Sequence, residues 1–225
     1  MSAPLPILFV DEHLAVVHKP AGLLSVPDLG RVLRAEGLAA EPVHRLDREV
    51  SGCLIVARDE ETRAALERAF REREITKVYW ALVRGTPRRL VGEIKYPLLH
   101  DGRHARVSAR GQAASTRYRV LRRLAVDGGE GGVGGEGDKV CECEIELVTG
   151  RYNQIRVHFA HDGHPLVGER KYARGADDPL GAKRLALHAW RVGFEHPRTG
   201  ARLELEAPLP EELQALLARC RLVAG

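Results

Sequence analysis

The chain has 225 residues, 44% of them hydrophobic and 29% charged, and a formal net charge of +4. That length and balance fit a soluble globular protein with a full core and exclude a disordered tail. No apolar run approaches the length of a membrane span, and MSAPLPILFV lacks the basic region and small-residue cleavage site of a signal peptide, so the cytoplasm is the expected compartment.

From the N-terminus, ILFV and LAVVH flank Asp11-Glu12-His13 and predict a hairpin, and Lys19-Pro20-Ala21-Gly22 breaks the pattern after it. HRLDREVSGCLIV, residues 44 to 56, then passes from a loop through Ser51-Gly52 into an apolar strand, so Asp47 lies just before a rigid element. Asp59 suits the N-cap of a helix running to about Arg73, with Glu60 and Glu61 in its first turn and Ala65, Leu66, Ala69 and Phe70 as its apolar stripe. ITKVYWALV reads as a strand with Lys77 and Tyr79 on one face and Val78 and Trp80 on the other. STRYRVL, VCECEIELV, RLALHAWRV and ARLELEAP add strands, and NQIRVHFAH and PEELQALLARC add short helices. DGGEGGVGGEGD, residues 127 to 138, holds too much glycine for a packed element and is expected to be a flexible loop between strands. No GxGxxG or GKS/T order accompanies it, so it is not read as a nucleotide cradle. The sum is an α+β fold, a mixed and largely antiparallel sheet with a few flanking helices, in a single domain spanning residues 1–225.

Charge is unevenly spread. Between Arg63 and Arg123 there are sixteen Lys or Arg against five Asp or Glu, whereas residues 126 to 148 carry seven acids against Lys139 alone. A solvated face and a polyanion-binding surface both remain open for the basic stretch.

Several chemistries can be weighed against the remaining residues. Cys53, Cys141, Cys143 and Cys220 form no CxxC pair and are expected to be reduced core or strand residues. Ser51 lacks the G-x-S-x-G turn of an activated serine and reads as a turn residue. His158, His161 and His164 would splay across a helix that Gly163 and Pro165 end, which favours polar surface histidines over a metal triad; no metal is expected. Asp47 is left as an isolated acid among Arg45 and Arg48. Its carboxylate is either an ion-pair partner of those arginines or, kept ionised and hydrogen-bonded, a nucleophile.

HRLD-x-x-x-SG followed by an apolar strand resembles the signature of the RluA family of pseudouridine synthases. ILFVDEHLAVVHKPAGLLSVP is similar to the family's opening hairpin, FREREITKVYWALVRG to its Lys-x-Tyr strand, and TGRYNQIRVHFAHDGHPLVGERKY to its third motif. RLALHAWRVGFEHP and APLP match its closing segment, so the resemblance covers nearly the whole chain in order. It implies the pseudouridine synthase catalytic fold, with Asp47 as the attacking carboxylate, Tyr79 as the pocket tyrosine and Arg156 as the arginine paired with the aspartate. Arg45 would fill the place of the flipped base, and His44, Lys77 and Ile155 would lie on the substrate side. No cofactor is implied. The partner is RNA and the chain is expected to be a monomer, with no membrane association. GLLSVP and FRERE most resemble the dual-specificity members that act on a tRNA anticodon stem-loop and on 23S ribosomal RNA, and a chain that begins at the hairpin fits a member without an S4 domain. Val50 and Asn153 depart from the family's usual threonine and histidine. Two alternatives are carried: a factor that keeps the fold and binds RNA or assists ribosome assembly without chemistry, and a nucleoside hydrolase that releases uracil.

Overall fold

Residues 4–126, 139–173 and 178–223 are described in a computed structural model of the chain. The glycine-rich stretch 127–138 lies outside the described residues. In chain order the elements are β1 (Ile7–Val10), β2 (Leu14–Lys19), α1 (Asp28–Ala35), β3 (Glu41–Pro42), β4 (Ser51–Ala57), α2 (Glu60–Glu72), β5 (Thr76–Arg84), β6 (Val91–Ile94), β7 (Leu98–His100) and β8 (Ala105–Val107). They continue with β9 (Thr116–Val126), β10 (Lys139–Leu147), α3 (Gln154–His161), β11 (Leu187–Glu195), β12 (Arg202–Glu206), α4 (Glu211–Leu217) and β13 (Cys220–Leu222). The fold is α+β with a largely antiparallel sheet arrangement, as the sequence predicts. The chain divides into two compact units, Met1–Val78 with His188–Leu209, and Tyr79–Leu187 with Pro210–Gly225.

In the first unit, β1 pairs antiparallel with β2, β2 with β4, and β4 pairs in parallel with β11 at Ser51 and Gly52. The period-two pattern decides which side chains go inward. Leu14 and Val16 of β2, Cys53, Ile55 and Ala57 of β4, and Val192 and Phe194 of β11 form one core with Leu66 of α2. Helix α2 forms as its sequence dictates. Asp59 accepts the Thr62 N–H at 2.8 Å at its start, and Arg73, with φ 63°, ends it in the left-handed region. Burial lifts the Cys53 thiol to about 12, which keeps it protonated and inert.

In the second unit, β10 pairs antiparallel with β9, β6 and β13 add to the same strand β9, and β7 pairs with β8. Helix α3 packs on β9, where Phe159 meets Tyr118 edge-on at 5.6 Å. Strand β10 does not alternate buried and exposed side chains. Cys141 and Cys143 are buried, but so is Glu142 between them. A buried carboxylate needs partners: the Trp80 indole N–H donates to it at 2.7 Å, and Arg122 pairs with its other oxygen. The irregularity in register falls between Glu142 and Cys143, leaving Leu121 opposite no residue of β10.

Candidate active site

The HRLD loop of the first unit is pinned on both sides of Asp47 by the loop that follows β2. The buried Ser25 hydroxyl accepts the Leu46 N–H and donates to the Leu46 carbonyl, both at 3.0 Å. The Arg48 carbonyl accepts the Gly22 N–H at 2.7 Å, and Arg48 Nε returns a bond to the Gly22 carbonyl at 3.0 Å. The Val50 N–H closes a turn on the Asp47 carbonyl at 3.1 Å. Leu46 and Val50 are buried, whereas Asp47 is half-buried and Arg45 is exposed. The anchoring loop is itself held. Lys19, fully buried, donates from Nζ to the carbonyls of Pro20 at 2.9 Å and Leu23 at 2.8 Å. Two segments far apart in sequence, KPAGLLS and HRLD, thus make one rigid platform with Asp47 at its rim. Sequence reasoning missed Lys19 and Ser25, whose partners are backbone atoms that no spacing reveals.

His44 anchors the same loop from its other end. Its Nε2 accepts the Ile55 N–H at 3.0 Å, which places the ring proton on Nδ1. Burial pushes its pKa down to about 3, and the charge of Lys77 pushes the same way. The His44 ring lies 4.6 Å from that of Phe70, and Lys77 Nζ lies 5.5 Å from the same ring. Burial also lowers the Lys77 pKa. The structure therefore brings His44 and Lys77 together across Phe70 and keeps His44 neutral.

Behind the loop, Ser51 is not the turn residue expected from sequence but the buried first residue of β4. Its hydroxyl lies 2.8 Å from His188 Nδ1, and His188 Nε2 lies 3.1 Å from the Ala207 carbonyl. A carbonyl can only accept, so Nε2 carries the proton and Ser51 donates to Nδ1. This serine and histidine are both fully buried and so act as a brace between β4 and β11.

In the second unit, the third motif builds a polar cluster around α3. Asn153 enters the helix at φ 51°, a left-handed conformation that asparagine tolerates, and its amide donates to the Tyr172 hydroxyl at 2.8 Å. The buried Gln154 amide donates to the Ser115 carbonyl and Thr116 Oγ1, each at 2.9 Å, and its oxygen accepts from Thr149 Oγ1 and the Arg151 N–H. Arg156 donates Nε and Nη2 to Glu169 at 2.7 and 3.0 Å, and both side chains are buried. Ile155 and Tyr79 are buried as well. His158 is not the surface histidine expected. It is fully buried, with Nδ1 2.9 Å from Thr116 Oγ1 and Nε2 2.9 Å from the Tyr96 carbonyl. Both ring nitrogens are committed, so His158, His161 and His164 are no ligand set. No group of three or more His, Cys, Asp or Glu side chains among the described residues is arranged to hold a metal ion.

The sequence profile described as RNA pseudouridylate synthase matches residues 13–161, a span that contains the pinned HRLD loop, β5 and α3. The chain belongs to this family of isomerases. It is similar to the ribosomal large subunit pseudouridine synthase D of Nitrosomonas europaea, 36% identical over 97% of this chain and 66% of that protein. It is also similar to the ribosomal large subunit pseudouridine synthase C of Pasteurella multocida, at 36% identity over 96% and 68%, and to synthase C of Escherichia coli K12, at 35% over 96% and 70%. The chain thus spans about two thirds of the length of these relatives. Among solved structures, human RNA pseudouridylate synthase domain containing 1 superposes with a TM-score of 0.81 at 26% identity, covering 97% of this chain and 89% of that one. Human RNA pseudouridylate synthase domain containing 4 shares the fold, with a TM-score of 0.78, 24% identity and coverage of 97% and 94%.

Proposed function

We propose that residues 1–225 act as one cytoplasmic catalytic domain that isomerises uridines to pseudouridines in structured RNA, with Asp47 as the nucleophile. The observation that carries this reading is the platform under Asp47. Hydrogen bonds from the Ser25 hydroxyl and from the Gly22 and Val50 N–H groups fix the chain on both sides of a carboxylate that is only half-buried. A catalytic group must be held rigidly and still reach its substrate, and this loop meets both needs.

In the reaction, an Asp47 oxygen forms a transient covalent bond to the target nucleotide while the bond between uracil N1 and the ribose C1′ breaks. The uracil turns, C5 bonds to C1′, the bond to Asp47 breaks and restores the carboxylate, C5 loses its proton and N1 takes one up, so product and substrate have the same composition. Tyr79 stacks on the base and assists removal of the C5 proton. Arg156 is the guanidinium that the family resemblance pairs with the catalytic carboxylate. Ile155 and Lys77 line the base, and His44 serves the same face as a neutral anchor. Arg45, exposed beside Asp47, fills the place that the flipped base leaves; its planar guanidinium suits stacking within RNA, and flipping costs roughly a few kcal/mol.

Large-subunit ribosomal RNA, the substrate named for the relatives above, is the first RNA to test. GLLSVP and FRERE favour a tRNA anticodon stem-loop as a second substrate. Unmodified 23S and tRNA transcripts incubated with the protein, followed by carbodiimide-dependent reverse-transcription mapping, should give stops at a few defined uridines. Binding without stops would favour an RNA-binding factor, and release of free uracil would favour a hydrolase.

A further inference from the structure

The pair formed by Arg156 and Glu169 is a poor candidate for a stabilising device. Desolvating two charges costs about as much as their attraction returns, so buried ion pairs add little to stability over apolar packing. Its geometry suits orientation instead. Glu169 receives Arg156 Nε at 2.7 Å and Nη2 at 3.0 Å, a two-point contact that fixes the guanidinium plane. The Tyr172 ring lies 5.6 Å from the Arg156 guanidinium carbon.

Glu169 is equally fixed. Its Oε1 also accepts the N–H groups of Lys171 at 2.7 Å and Tyr172 at 3.1 Å, and its backbone carbonyl accepts from Arg84 Nη2 at 3.3 Å. The preceding Gly168, with φ 77°, brings its backbone so close to the Arg184 carbonyl that a Cβ would sit 2.1 Å from that oxygen. The carboxylate is therefore a rigid reference point, and Nη1 of Arg156 is directed by the two nitrogens that Glu169 holds.

We infer that Glu169 is a positioning residue of the reaction, acting through Arg156. The inference rests on the reading of Arg156 as part of the catalytic group. A residue of this kind affects turnover more than substrate binding, and its effect vanishes once the group it orients is gone.

The test uses the full chain with 23S and tRNA transcripts labelled with tritium at uridine C5, following tritium release. Glu169→Gln, similar in size but uncharged, should lower kcat at least tenfold while KM stays within twofold and thermal unfolding stays well above the assay temperature. Glu169→Asp, which keeps the charge, should retain more activity than the Gln variant, and it carries the comparison if Glu169→Gln does not fold. Arg156→Ala and Arg156→Ala/Glu169→Gln should have kcat values within twofold of each other. A slow Arg156→Ala beside a Glu169 variant with wild-type kcat would overturn the inference alone, as would losses that multiply in the double variant. Wild-type turnover by Arg156→Ala would overturn the reading of Arg156 and this inference with it.

Discussion

An aspartate flanked by arginines is most often an ion pair, and what distinguishes Asp47 is the backbone around it. The motif was legible in sequence because HRLD-x-x-x-SG is contiguous. Its supports were not, because Ser25 bonds to Leu46 from twenty-one residues away and Glu169 meets Arg156 from thirteen. His158 shows the same limit: a run of histidines spaced by three reads as polar surface until Thr116, forty-two residues away, claims one nitrogen. Histidines held neutral have a measurable consequence. The His44 pKa falls from 6.5 to about 3, and burial lowers that of His158 too, against the opposing bond to the Tyr96 carbonyl. Both groups take up protons more readily in the unfolded chain. Their full contribution is present above pH 6.5 and is lost as pH falls from there toward the folded values. Urea unfolding should therefore give a stability that is level above pH 7 and drops between pH 6.5 and 5, by at most about 1.4 kcal/mol per pH unit for each histidine. His44→Gln should flatten that slope. An unchanged slope would mean that His44 is not held neutral in the fold.

At the scale of elements, strong local signals were sufficient. Asp59 caps α2 as the sequence predicts, and the β1–β2 hairpin and strand β4 fall where their apolar patterns lie. Helix α1 was missed because its start carries no side-chain cap and Gly30 sits in its first turn. Strand β13 was missed because three residues, Cys220–Leu222, hold no pattern of their own and become a strand only through pairing with β9. Where β4 meets β11, the constraint is steric. Gly52 has φ 121°, and a Cβ there would lie 2.1 Å from the Ala189 carbonyl oxygen and 2.6 Å from its nitrogen. Neither backbone can yield without breaking the pairing of Ser51 with His188 and Gly52 with Ala189. Gly52→Ala should destabilise the protein by about 3 kcal/mol or more in urea unfolding, through combined backbone strain and overlap. A loss under about 1 kcal/mol, the usual scale for a tolerated change, would contradict this account of the junction.

At the scale of the whole molecule, the basic run from Arg63 to Arg123 is less concentrated in space than in sequence. Pairing sets Arg117, Arg119 and Arg122 of β9 directly opposite Glu146, Glu144 and Glu142 of β10, so the acidic segment offsets part of the basic one. Arg71 and Arg73 are exposed at the end of α2, and their charges test whether the basic run contacts RNA. Replacing Arg71 with Gln and Arg73 with Gly, which suits the left-handed φ of 63°, should weaken RNA binding without destabilising the fold. The salt dependence should flatten by about one unit in log–log slope for each arginine that no longer neutralises a phosphate. An unaltered slope in filter binding would place the RNA surface elsewhere. The central claim is that a carboxylate at position 47 does covalent chemistry on uridine, and Asp47→Asn tests it most directly, since the amide matches the acid in shape but is a poor nucleophile. The measurement is single-turnover tritium release from C5-labelled RNA beside filter binding of the same RNA. The account predicts wild-type binding with release reduced at least a thousandfold; release within tenfold of wild type would contradict it.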